Sequence, residues 1–132
     1  MRTEDCAYER ADIIGWSTPL IADCLDLAYR ACFGQNQQLI DHFTQQHRRL
    51  WFSLVSNNPK KAAEARQMLT TLAKMCKLTD EAMEAIDNIV LDELTDVVAR
   101  RFQGSPAKTR NYSRILIDAA TVLTQTRISV AA

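Results

Sequence analysis

Residues 79–102 read TDEAMEAIDNIVLDELTDVVARRF. Ala82, Met83, Ile86, Ile89, Val90, Leu94 and Val97 recur there at three- and four-residue spacing, the repeat of one broad helical face. Thr79 is a good N-cap, Asp80 and Glu81 follow it, and Arg100 and Arg101 end the stretch. That order of charge suits the helix dipole, positive at its start and negative at its end. Gly104 supplies a stop. A long capped amphipathic helix sets the class, and no other segment offers a convincing strand.

Working outward, all three prolines follow a residue that caps helices: Thr18-Pro19, Asn58-Pro59 and Ser105-Pro106. Proline at the first helical position loses nothing, since that N–H has no partner in any case. Helices are therefore predicted over 19–33, 37 to about 55, 59 to about 77, 79–102 and 106 to about 127, with a short leading helix over 3–14 capped by Thr3. The inward stripe of the first is read as Leu20, Ile21, Cys24, Leu27, Ala28, Ala31 and Cys32. In the second it is Leu39, Ile40, Phe43, His47, Leu50, Trp51 and Leu54; in the third, Ala62, Ala65, Met68, Leu69, Leu72, Met75 and Cys76. The last buries Tyr112, Ile115, Leu116, Ala119, Val122 and Leu123. Short connections place sequential helices side by side, mostly antiparallel. The expectation is an all-α single domain over 1–132, five principal helices and a short N-terminal one; a globin-like helical fold without haem is the alternative.

Composition narrows function more by exclusion than by indication. The chain has 132 residues, 47% of them hydrophobic, three glycines and a formal net charge of zero. Nothing there draws in nucleic acid or a membrane surface, no run spans a bilayer, and the charged N-terminus is no secretory signal. A cytoplasmic protein is expected, with Cys6, Cys24, Cys32 and Cys76 as reduced, mostly buried thiols. Cofactors stay unassigned. No nucleophile elbow, phosphate loop, dinucleotide fingerprint or zinc spacing is present, so no reaction and no catalytic or metal residue is named.

Four constellations remain. On a helical wheel Leu91, Val98 and Phe102 fall away from the face led by Ile86, Ile89 and Val90. Either this helix lies in the middle of the domain, or Leu91, Val98 and Phe102 meet a second copy in a homodimer. Arg100, Arg101, Lys108, Arg110 and Arg114 come without an acidic residue between them, beside the helix start at Ser105. They form either an anion or acidic-partner site or a solvated basic corner. His47 and Trp51 share a face and could line a pocket; the plain alternative for His47 is a hydrogen bond inside the core. A haem globin needs its histidine on a late helix, and residues 48–132 hold none.

The acidic residues of 80–96 look mostly solvent-facing, with Glu93 alone inside the apolar arc, and there is no Glu-x-x-His for a di-metal site. Around Lys77 the chain loosely fits a helix-turn-helix. The second helix of that pair is acidic and would repel phosphates. The leading expectation is a regulatory or protein-interaction module that self-associates around 91–102. The second is a sensor in signal transduction that holds a small molecule between helices, and the third a nucleic-acid binder.

Overall fold

The structure, a computed structural model, describes residues 7–131. Five α-helices account for it, with no strand among the described residues: α1 Ala7–Phe33, α2 Gln37–Val55, α3 Pro59–Met75, α4 Asp80–Arg101 and α5 Pro106–Ala131. The protein is an all-α bundle.

The connections follow from local chemistry. Asn36, Asn58 and Thr79 cap α2, α3 and α4, each side-chain oxygen accepting from the backbone N–H three residues on. α1 ends on Gly34 at φ 64°, whose N–H reaches the Arg30 carbonyl. α2 and α3 end with Asn57 and Lys77 in the same left-handed region, and Asn58 and Leu78 donate back to Ser53 and Ala73. These are Schellman closures, and Lys77 forms one where glycine is commoner.

One expected boundary is absent. The leading helix is not separate, because α1 runs unbroken from Ala7 through Pro19. Thr3 and Cys6 lie outside the described residues. Proline inside a helix costs about 3 kcal/mol through a lost bond and a clash. Gly15 and Pro19 both lie on the exposed side, where water can take the orphaned carbonyl. The opposite face carries Arg10, Ile13, Ser17, Ile21, Leu25 and Tyr29, one continuous buried stripe. Burying each large apolar side chain there is worth roughly 1.5–3 kcal/mol, enough to override the break. Thr18 is accordingly not a cap, and its hydroxyl donates to the Ile14 carbonyl at 2.6 Å.

The stripe of α1 is thus rotated from the expected one: Leu27, Ala31 and Cys32 are exposed and Cys24 is half-buried. Met68 and Met75 on α3 and Ile89 on α4 also face outward. In α3 the buried line is Ala62, Ala65, Arg66, Leu69 and Ala73.

Packing also departs from simple sequence order. α5 approaches all four other helices and is the central element, a place the sequence suggested for α4. α3 packs on α2 and α5, and α4 on α1 and α5, whereas the consecutive pair α3 and α4 makes no close backbone approach. A cleft remains between those two. Among the described residues no helix is long and apolar enough to cross a membrane.

Candidate functional site

The interior of this bundle is organised around a carboxylate. Asp87 is fully buried on α4. Its place follows from spacing: it lies four residues after Met83, three before Val90 and seven before Leu94, in the middle of the buried stripe. A lone buried carboxylate would cost several kcal/mol, so each of its lone pairs needs a donor.

The donors come from three other helices. His47 Nε2 lies 2.5 Å and Trp51 Nε1 3.2 Å from Oδ1, both from α2. Arg66 of α3 donates to Oδ2 at 2.7 Å, and Arg127 of α5 at 2.9 Å. Arg127 also holds Glu84 at 3.2 Å. The fifth helix joins through Tyr29 of α1, whose hydroxyl lies 2.6 Å from His47 Nδ1. A carboxylate can only accept, so Nε2 carries the imidazole hydrogen; in the neutral ring Nδ1 then accepts from Tyr29. One hydrogen-bonded cluster therefore ties α1 to α5.

Its electrostatics follow. Burial alone would raise the Asp87 pKa, but the His47 ring, then Arg66 and Arg127, override it and hold the carboxyl well below the usual carboxylate range. Burial, seconded by the Asp87 charge, pushes the Tyr29 phenol above its ordinary value.

Hydroxyl, imidazole and carboxylate in a row have the order of a nucleophilic triad. Here Tyr29, His47 and Asp87 are each 0% exposed, which seals the row from any substrate in this conformation. Among the described residues no group of three or more His, Cys, Asp or Glu is placed to hold a metal.

A groove runs past one edge of the cluster, over Trp51. Between α1 and α2 lies a half-open groove of about 280 Å³, walled by Ile14, Ile21, Phe52 and Val55 with Trp51 beneath. Ser17, Thr18 and Gln45 add polar groups, and Arg48 and Arg49 stand at the wall with no carboxylate among the lining residues. Both arginines are exposed, and neither guanidinium has a partner among the described residues. Trp51 belongs to both places: it lines the groove, and its indole N–H holds Asp87.

The residues singled out from sequence fall apart in space. His47 is sealed and does not line the groove, whereas Trp51 does. Val98 is 1% exposed, in the core. Leu91 is half-buried against the core, and Phe102 packs its ring 4.2 Å from that of Tyr112. Of the three, Val98 is interior, while Leu91 and Phe102 pack on the core and keep part of their surface open. In the basic corner all five side chains are exposed. Arg100 pairs with Asp96, Arg101 lies 5.6 Å above the Trp16 ring, and Lys108, Arg110 and Arg114 are solvated. Glu93 is exposed, and the acid inside the arc is Asp87.

Asp87, Arg66, Tyr29 and Arg127 were missed as site residues. The signal for Arg66 was its place four residues after Ala62 and three before Leu69. No known family model, curated protein or solved structure matches this chain.

Proposed function

We propose that the protein is a ligand-binding regulatory domain, a sensor whose α1–α2 groove takes a small amphipathic anion. The supporting observation is the double placement of Trp51. Whatever occupies the groove lies over the side chain that also holds the buried Asp87, and through Asp87 and His47 it is linked to every helix of the bundle. The ligand chemistry follows from the lining. An apolar body rests on Ile14, Ile21, Trp51 and Phe52, and a carboxylate or similar head meets the unpartnered Arg48 and Arg49. Self-association through residues 91–102 has less support, since Val98 is interior.

The test is a fluorescence titration. Trp16 is replaced by phenylalanine so that Trp51 alone reports, and octanoate is the probe. A saturable change in Trp51 emission is expected, weakened about tenfold, or ~1.4 kcal/mol, when Arg48 and Arg49 are both changed to alanine. Emission that stays flat, or binding indifferent to the arginines, refutes the reading.

A further inference from the structure

Imidazole is the side chain whose ordinary titration falls between about pH 5 and 8, and His47 holds one at the centre of the bundle. Groups from all five helices face it or its partner Asp87. Tyr29 comes from α1, Trp51 from α2, Arg66 from α3, Met83, Glu84 and Asp87 from α4, and Arg127 from α5. With a neutral ring the charged members balance, the Arg66 and Arg127 guanidinium groups against the Asp87 and Glu84 carboxylates.

The cluster also has a place for the other protonation state. A second proton, taken from water, adds to the Nδ1 lone pair, and Nδ1 changes from acceptor to donor. The Tyr29 oxygen then receives that N–H, and its own hydrogen turns away. Met83 Sδ, 3.7 Å from the Tyr29 oxygen, is a second and weaker acceptor already in position.

The added charge has no such provision. Three cations then share one buried carboxylate, with Glu84 at the surface as the second anion. Which contact yields follows from what each cation can fall back on. The His47 side chain is fully enclosed and that of Arg66 is 4% accessible, whereas that of Arg127 is 26% accessible and already reaches out to Glu84. Water can receive the Arg127 guanidinium cheaply, and the other two only at the cost of opening the interior.

We propose that the His47 cluster is a proton-sensitive latch on α5: in acid the imidazolium displaces Arg127 from Asp87 and frees the C-terminal end of that helix. With the ring neutral, Arg127 ties that end to the interior through Asp87. The latch uses neither Arg48 nor Arg49 and does not rest on the reading of the α1–α2 groove.

The experiment is amide hydrogen exchange on the full chain from about pH 7.5 to about pH 5, corrected for intrinsic rates, with the His47 ring nitrogens followed by 15N NMR. Asp87 stays ionised across that window, because its partners hold the carboxyl below the ordinary range. Protection of residues 122–127 should fall about tenfold as Nδ1 gains its proton, while that of residues 40–54 changes less than about twofold. His47→Gln offers Asp87 a donor without a titrating ring and should abolish the response, whereas Glu84→Gln should keep it. Met83→Leu preserves volume but removes the second acceptor of Tyr29, so the same loss should need more acid. The proposal is overturned if protection of residues 122–127 holds throughout, if it falls while His47 stays neutral, or if Nδ1 is protonated and α5 does not loosen. A response that survives in His47→Gln or vanishes in Glu84→Gln overturns it too. Should His47→Gln fail to fold, the readings on the unaltered chain and on Met83→Leu decide.

Discussion

Asp87 and Asp96 sit on the same helix, and each faces an arginine, at 2.7 Å from Arg66 and 3.1 Å from Arg100. Beyond that they have little in common. Asp96 and Arg100 are a turn apart on one exposed surface, with side chains 62% and 66% accessible. Asp87 is fully enclosed and draws donors from α2, α3 and α5. The first pair competes with water at every moment. The second has no water to fall back on, so each partner becomes obligatory to the others. Distance alone does not set what an ion pair is worth; the alternative available to each charge does.

The contrast is broken most sharply at Asp87. Asp87→Ala strands Arg66, His47 and Trp51 in the interior and should cost about 3–5 kcal/mol by urea unfolding. Next comes the acid limb of the stability curve. In the fold the Asp87 carboxyl is held below its ordinary range, so the unfolded chain takes up the proton first as pH falls. Its contribution is complete above pH ~4 and is lost as pH drops towards the depressed folded value. Asp87→Asn should flatten that limb, and an unchanged slope would remove Asp87 as its source.

Tyr29→Phe removes the buried hydrogen-bond partner of His47 Nδ1 and should cost about 1–3 kcal/mol. It should also soften the alkaline limb. Tyr29 is raised by burial, so its contribution is complete below pH ~10 and is lost as pH rises. Tyr112, raised by burial and then by its bond to Asp12, would keep part of that limb. Smallest of all, Asp96→Ala should change stability by no more than ~0.5 kcal/mol, a shift that added salt removes.

The same contrast explains what was legible in the chain. Helix class and most boundaries were, because capping and apolar periodicity are local. Asn36, Asn58 and Thr79 do in space what their positions suggest. Pro19 misled, because its local rule was outweighed by a stripe from Arg10 to Tyr29 that only tertiary packing completes. The buried cluster was written in position and hidden by residue type. Asp87 and Arg66 occupy stripe positions, and reading by hydrophobicity discards charged residues at the start. Only Arg66, Arg127, His47 and Asp87 taken together make any of them tolerable inside, and no local window contains all four. Val98 shows the converse. Its apolar character was plain, but whether a neighbour or a partner covers it depends on how α1 and α5 pack against α4.

The central position of α5 bears on how the polypeptide can be made. α5 is the last of the five helices to leave the ribosome, and it lies against each of the other four. Arg127, near its far end, completes the charge balance at Asp87. Until that segment clears the exit tunnel, α1 to α4 can pack on one another only in part, and the charge balance at Asp87 is incomplete. Completion of the bundle should therefore wait for α5, and chains ending at residue 105 should be cut by protease far faster than chains that include α5.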